Sequence, residues 1–329
     1  MQTRPSVLIM MATYNGENYL KEQIESIQHQ TYQNWNLIIQ DDGSKDATLK
    51  IIDDYCAKDS RITKAINLGL YHGAYNNFHL LANKCKSMDL YDFYMFSDQD
   101  DVWDDDKIEK ILYRISDKQK NKPIFYYANM RLIDGNGNIL NGNMNKLLGI
   151  QYINKISTFF SHNVFGCNCL MNRAAFLSVP IIDVTDERVN ILAHDNLYAK
   201  FSALLGTVIY DDDCIMSYRR HGLNVTSKYD YKFNIYKILH RIFKVNDLAK
   251  DHALTYNQSL ITIELMHKLC EFDNKNEILI DIKSTIYSGG IRALIYLKRN
   301  HVTWGRTIKG ISRKLILLTG IYKKYLLTI

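Results

Sequence analysis

The chain has 329 residues, 47% of them hydrophobic and 12% aromatic, which is enough for a full α/β core with a second unit behind it. Its 3 prolines, the lack of a Gly/Ser linker or internal repeat, and 6 cysteines without a CxxC pair exclude low-complexity, array, zinc-ribbon and disulfide-framework proteins. The formal charge of +6 is uneven, with 23 Lys/Arg against 27 Asp/Glu in residues 1–227 and 18 against 8 in residues 228–329.

In chain order, SVLIMMAT (6–13) is a continuous apolar run ending in the turn-like YNGEN, and it reads as a buried parallel strand followed by a loop. Its core VLIMMA is too short for a signal peptide or a spanning helix, and the irregular cysteine spacing leads to the expectation of a reducing cytoplasm. YLKEQIESIQHQ (19–30) has helical spacing through Leu20, Ile24 and Ile27, and WNLIIQ (35–40) is a second strand. DDGSKDAT then leads into a helix through Ile51, Ile52 and Tyr55, with Ser44 or Asp46 as its cap. FYMFS (93–97) is expected as the third strand, followed by SDQDDVW and a helix over DKIEKILYRI. IFYYANMRLID continues the sheet, GCNCLMNRAAFL (166–177) reads as a strand into a helix, and HDNLYAKFSALLG (194–206) as an amphipathic helix with an acid at its N-terminus. TVIYDD is a last strand before SYRRHGLNV. From about 230 the pattern is mainly helical, through YKFNIYKILHRIFKV, HALTYNQSLITIELMHKL and a basic tail.

Strands alternating with helices predict a doubly wound, mainly parallel sheet, in which ligands bind at the carboxyl ends of the strands. The polar residues gather at those ends: Thr13, Tyr14 and Asn15, then Asp41 and Asp42, then Asp98, Asp100 and Asp101. No GxGxxG or GxxxxGK[ST] follows a strand, which argues against a dehydrogenase or P-loop enzyme. Three close carboxylates repel unless solvent, a metal ion or a cationic ligand relieves them. Asp104, Asp105 and Asp106 suit an ordinary acidic helix N-terminus, and Asp98 and Asp100 suit a hard divalent cation that also holds a diphosphate.

These strings, in this order and spacing over roughly residues 5–225, resemble the family 2 glycosyltransferases with the GT-A fold, including rhamnosyltransferase-like members that build bacterial surface polysaccharides. The resemblance implies a Rossmann-like, mainly parallel sheet with helices on both faces over 1–227, and a basic, mainly helical region over 228–329. SDQDDVW looks like the DxD motif, which implies that Asp100 is the principal carboxylate ligand of Mn²⁺ or Mg²⁺ and that Asp98 reaches toward the ribose. By the same resemblance Tyr14 stacks near the base beside Thr13 and Asn15, and Asp42 accepts from the base imide of a UDP- or dTDP-sugar. Ala12 stands where relatives often carry a hydroxyl residue. Asp195 falls where the family carries its catalytic base, preceded by His194 in place of the commoner Glu. In YRRHG, Arg219 and Arg220 are candidate diphosphate contacts, and by the resemblance His221 is a candidate second metal or phosphate contact. Gly166 matches a small-residue turn near the sugar pocket, and Cys167 reads as a packed thiol.

After Asp281 no acid occurs, while Arg292, Lys298, Arg299, Arg306, Lys309, Arg313, Lys314, Lys323 and Lys324 are interleaved with apolar residues and Trp304. IYKILHRIFKV sets Ile235, Ile238, Leu239, Ile242 and Phe243 on one face beside Lys237, Arg241 and Lys244, and no nucleic-acid motif accompanies it. The expectation is therefore a cytoplasmic protein, peripheral at the inner face of the plasma membrane. It would be a metal-dependent inverting transferase adding L-rhamnose from dTDP-L-rhamnose to a lipid-linked glycan of capsule, O-antigen or cell-wall assembly. A UDP-hexose galactosyl- or glucosyltransferase is the nearest alternative; a nucleotidyltransferase and a noncatalytic glycan-binding scaffold are the alternatives from other classes.

Overall fold

The computed structural model describes residues 4–88, 91–119, 121–222, 245–302, 304 and 308–328. The chain begins as β1 (Val7–Thr13), α1 (Leu20–Gln28), β2 (Trp35–Asp41), α2 (Thr48–Lys58), β3 (Ile62–Ile66), α3 (Ala74–Lys86), β4 (Phe93–Ser97), β5 (Val102–Trp103) and α4 (Lys107–Arg114). It continues as β6 (Ile124–Asp134), β7 (Ile139–Asn143), α5 (Met144–Leu148), β8 (Cys169–Asn172), α6 (Arg173–Ser178), α7 (His194–Leu205) and β9 (Thr207–Arg220). The described C-terminal helices are α8 (Val245–His267), α9 (Asn276–Ser288), α10 (Gly290–Arg299) and α11 (Ile308–Thr319). The amphipathic stretch expected over 231–245 lies almost wholly outside the described residues.

The strands form one sheet in the order β3-β2-β1-β4-β8-β6-β9-β5, with β7 beside β6. β3, β2, β1 and β4 run parallel, β8 is antiparallel to β4 and β6, and β9 runs parallel to β6. Because β8 is reversed, the turn that enters it lies at the same edge as the carboxyl ends of β1, β2, β4, β6 and β9. Side chains alternate across the sheet: Val7, Ile9 and Met11 join the core with α1, α2 and α4, and Leu8 and Met10 join the core with α3, α6 and α7. The C-terminal helices pack on this second side, where Tyr256, Leu260 and Ile263 of α8 and Leu279 and Ile282 of α9 extend the same core as Phe159, Phe160 and Phe201.

Two elements differ from expectation. β3 and α3 stand between the second strand and FYMFS, so FYMFS is the fourth strand. β3 leaves Thr63, Lys64 and Ile66 exposed, as an edge strand can, and so carries no continuous apolar signal. The strand expected at TVIYDD runs on through Arg220, pairing with β6 across register shifts near Asn129 that absorb Asp212 and Asp213.

Candidate functional site

The tips of β1 and β2 are tied together first. Asp41, fully buried, accepts from the Gly43 and Ser44 N–H groups at 3.0 and 2.8 Å, from Ser44 Oγ at 2.5 Å and from Thr13 Oγ1 at 3.0 Å. Asn15, at φ 47°, donates its N–H to Ser44 Oγ, and its side-chain oxygen accepts from Lys45 N, both at 2.9 Å. Thus the Thr13 hydroxyl and the Asn15 amide oxygen hold the double turn, and the Tyr14 ring is the group left 54% exposed. Gln99 clasps the Tyr14 backbone from the acidic loop, accepting from its N–H at 2.9 Å and donating to its carbonyl at 3.0 Å.

Asp42 is held by a loop the sequence reading did not assign. Its carboxylate accepts from Asn67 Nδ2 and Gly73 N, both at 2.7 Å, and meets His72 Nδ1 at 3.0 Å. Gly73 sits at φ +102°, where a side chain would be strained, and begins α3. Beside it His72, Gly73, Ala74, Tyr75, Asn76 and Asn190 line an open groove of about 270 Å³. Asn76 Nδ2 donates to Asn190 Oδ1 at 2.6 Å, and its buried Oδ1 has no partner among the described residues. The turn-forming NLG and HG are the local signal for this loop.

At the end of β4, Asp98 is half-buried, Asp100 is 9% exposed and Asp101 is fully buried. Asp100 Oδ2 meets His221 Nε2 at 2.7 Å, so the two residues expected to share a metal converge. Asp101 Oδ1 accepts from the Arg219 N–H at 3.0 Å, while its buried Oδ2 has no oxygen or nitrogen donor among the described residues. Oxygens of Asp98 and Asp101 and the Cys167 sulfur lie within 4.8 Å of one another. Burial pushes the Asp98 carboxyl up to about 7, helped by the charges of Asp100 and Asp195. The same burial, with Asp100 and Asp98 adding, pushes Asp101 well above the carboxylate range. Burial likewise raises the Cys167 thiol well above its usual value, which keeps it protonated and suits a packed thiol; its Sγ lies 3.9 Å from Met130 Sδ. The nearby cation is Lys107, fully buried, which donates to the Cys167 carbonyl at 3.0 Å and stands 3.8 Å above Trp103. Burial lowers it to about 8, so it stays charged at neutral pH. A concentration of carboxylates raised by burial and mutual repulsion, with one orphaned oxygen and a histidine alongside, fits a divalent cation with O and N ligands.

Arg219, the candidate diphosphate contact, lies beneath the acidic loop. It is 1% exposed; Nε donates to the Asp100 carbonyl at 2.8 Å, a terminal nitrogen to Glu22 Oε2 at 2.5 Å, and its guanidinium lies 4.8 Å over Tyr19. It supports the acidic loop from beneath. Arg220, half-buried, ends β9, and His221 follows it into the site.

Asp195 stands in the first turn of α7 and is 8% exposed. Its Oδ2 accepts from the Gly166 N–H at 2.9 Å; its Oδ1 accepts from the Asn196 N–H at 2.6 Å and from Asn196 Nδ2 at 2.8 Å. Burial raises the carboxyl, but His194, His162 and the Asn196 donors oppose it, and the balance falls below the ordinary carboxylate value. Asn196 Nδ2 also lies 2.9 Å from His162 Nε2, and His162 in turn faces Gln258 of α8. The C-terminal helices therefore buttress this acid, a link across distant sequence that no local pattern signals. His194 stacks on Phe78 at 3.9 Å between centroids, and burial drives it down to about 4. A Cβ on Gly166 would lie 2.5 Å from His194 Nε2, so the small residue of that turn is required by close approach.

On β9, Asp211 accepts from Tyr126 Oη at 3.0 Å, and the exposed Asp213 from Arg114 at 2.7 Å. Asp106 pairs with Lys110 at 2.9 Å on the surface of α4.

The family described as Glycosyl transferase family 2 matches residues 8–179. The dTDP-rhamnosyl transferase RfbG of Shigella flexneri is 29% identical over 237 residues, which are 68% of this chain and 77% of that protein. The UDP-Glc:alpha-D-GlcNAc-diphosphoundecaprenol beta-1,3-glucosyltransferase WfgD of Escherichia coli is 34% identical over 131 residues, 40% of this chain and 47% of that one. Among solved structures, S. aureus TarS 1–349 in complex with UDP-GlcNAc aligns with a TM-score of 0.51 at 13% identity, covering 98% of this chain and 93% of the other, a likeness of fold.

Proposed function

We propose that this chain, which belongs to glycosyltransferase family 2, transfers one sugar from a pyrimidine nucleotide donor to a lipid-linked glycan in bacterial polysaccharide assembly, with inversion at the anomeric carbon and a divalent metal. The observation that carries the reading is the Gly166–Cys167 turn, which joins Asp195 to the acidic β4 tip: the Gly166 N–H donates to Asp195 Oδ2 at 2.9 Å, the Cys167 sulfur lies within 4.8 Å of oxygens of Asp98 and Asp101, and His221 closes on Asp100 at 2.7 Å.

The residues take these roles. Tyr14 and Asp42 receive the base; the Asp42 carboxylate already accepts from Asn67, His72 and Gly73 and has acceptor capacity for one imide N–H more. Asp98 faces the ribose, Arg220 the phosphates, and Asp100 and His221 would hold Mn²⁺ or Mg²⁺. When bound, the cation neutralises charge on the departing diphosphate. Asp195, below its ordinary pKa and so ionised at neutral pH, takes the proton of the acceptor hydroxyl as that oxygen bonds to the anomeric carbon and the bond to the diphosphate breaks. One base suffices, in contrast to the two carboxylates of glycoside hydrolysis.

For the sugar, likeness to a dTDP-rhamnosyl transferase over 68% of the chain favours L-rhamnose. The second reading is a UDP-hexose donor, favoured by 34% identity to a UDP-Glc enzyme over a shorter stretch. That enzyme's acceptor is a diphosphoundecaprenol glycan, which supports a lipid-linked acceptor and a place at the cytoplasmic membrane face. No helix among the described residues is long and apolar enough to cross a membrane. The test is a panel of dTDP- and UDP-sugars with Mn²⁺ or Mg²⁺ and extracted lipid-linked glycan as acceptor, scoring nucleoside diphosphate release by wild type and Asp100→Ala. One donor consumed by wild type and not by Asp100→Ala supports the reading. No donor consumed or bound in the presence of metal overturns it in favour of a scaffold, and pyrophosphate release in favour of a nucleotidyltransferase.

A further inference from the structure

The C-terminal helices leave one apolar surface uncovered. On α10, Ala293 and Leu297 are buried, while Ile291 and Ile295 are 63% and 45% exposed. At about 100° per residue, Ile291 and Ile295 share the outer side of the helix with Lys298 and Arg299, and Arg292 borders it; all three cations are exposed. On α11, Ile316 and Leu317 are buried, while Ile311, Leu315 and Leu318 are 57%, 55% and 46% exposed and form one stripe with exposed Lys314 beside it. The two helices pack on each other, and their inner sides enter one core with Tyr256, Ile286 and Tyr322.

Single exposed aliphatics are ordinary, but five on two adjoining helices form a surface that calls for a partner. Its chemistry is specific: residues 282–329 contain 10 Lys/Arg and no Asp or Glu. A second copy meeting this face with its own would set cations against cations. Nucleic acid would satisfy the cations and leave the aliphatic stripe wet. An anionic bilayer satisfies both at once, since aliphatics enter the headgroup boundary while Lys and Arg meet lipid phosphates.

We propose that the outer faces of α10 and α11 dock the protein on an anionic lipid bilayer. The inference deepens the functional reading and rests on it only for what the membrane carries, the acceptor. The face is tied to the sheet domain: Trp304 Nε1 donates to the Phe160 carbonyl at 2.9 Å, and Asn154 Nδ2 to the Asn300 carbonyl at 2.8 Å. Docking therefore also sets how the catalytic crevice is presented to the bilayer.

The test is co-sedimentation of the full chain with vesicles of phosphatidylcholine alone, or of equal parts phosphatidylcholine and phosphatidylglycerol, at low and high salt. Wild type should pellet with the anionic vesicles only, and high salt should release it. Lys298→Gln with Lys314→Gln should weaken binding roughly fivefold per charge, and Ile311→Ser with Leu315→Ser should weaken it further, with thermal melts unchanged because all four side chains are exposed. Equal binding to neutral vesicles, or binding indifferent to both double variants, overturns the proposal. So does a dimer in sedimentation velocity that Leu315→Glu dissolves without any vesicle binding, which would make the occupant a second copy. Donor turnover measured in the same preparations separates the two claims: vesicle binding without turnover refutes the transferase reading and leaves the docking face standing.

Discussion

Replacing Asp195 by Asn changes one atom type in a site whose donors are already arranged. The carboxylate receives Gly166 N–H on Oδ2 at 2.9 Å and two donors from Asn196 on Oδ1 at 2.6 and 2.8 Å. An amide can face only one side with its oxygen. The better orientation keeps oxygen toward Asn196 and sets the NH₂ against Gly166 N–H, leaving one buried donor unmet at a cost of about 1–3 kcal/mol of stability. Loss of a general base lowers kcat by roughly 10²–10⁴, or about 2.7–5.5 kcal/mol in the barrier. The assay is steady-state nucleotide release, with donor affinity and a thermal melt measured on the same protein. Asp195→Asn should lose kcat by that factor while donor affinity stays within about twofold. Turnover within about tenfold of wild type, or a loss of donor affinity that accounts for the whole effect, would refute the assignment.

Gly166→Ala should cost about 1–3 kcal/mol by overpacking against His194 and lower kcat, since the new Cβ would also lie 3.4 Å from Asp195 Cβ; a melt and a rate measurement check it. Asp100→Asn and His221→Ala should each weaken Mn²⁺ binding by at least the roughly 10–100-fold seen for outer-shell changes, read by spin resonance of free Mn²⁺; unchanged binding would place the metal elsewhere. Arg219→Ala removes the donor to the Asp100 carbonyl, while the exposed Glu22 is hydrated instead, and should destabilise by about 1–3 kcal/mol in urea melts. Lys86 donates to the Val179 and Pro180 carbonyls and is lowered by burial to about 7. From about pH 7 to about 10 the unfolded chain holds a proton that the folded chain lacks, so stability should rise with pH by up to about 1.4 kcal/mol per unit. Lys86→Met should remove that rise, and a wild type whose stability is flat or falls relative to the variant would contradict it.

What the sequence determined by itself is local. Apolar runs of VLIMMAT, WNLIIQ and FYMFS, each ending in turn-forming polar residues, specify strands with chemistry at their tips, because periodicity and turn preference act within a few residues. Asp42, the acids from Asp98 to Asp101, and Asp195 were therefore legible as candidates, and the family resemblance supplied their expected roles. The exposed edge strand β3 was not legible, since Thr63 and Lys64 break its apolar pattern. Nor was the task of Arg219, which depends on Glu22 and Asp100 lying against the end of β9, 197 and 119 positions away. The support running from Asp195 through Asn196 and His162 to Gln258 likewise exists only once α8 packs on the second side of the sheet. Such pairings follow from sheet order and from which core each helix joins, and burial turns them into definite hydrogen-bond and charge partners; only the closed tertiary structure brings those groups within reach of one another.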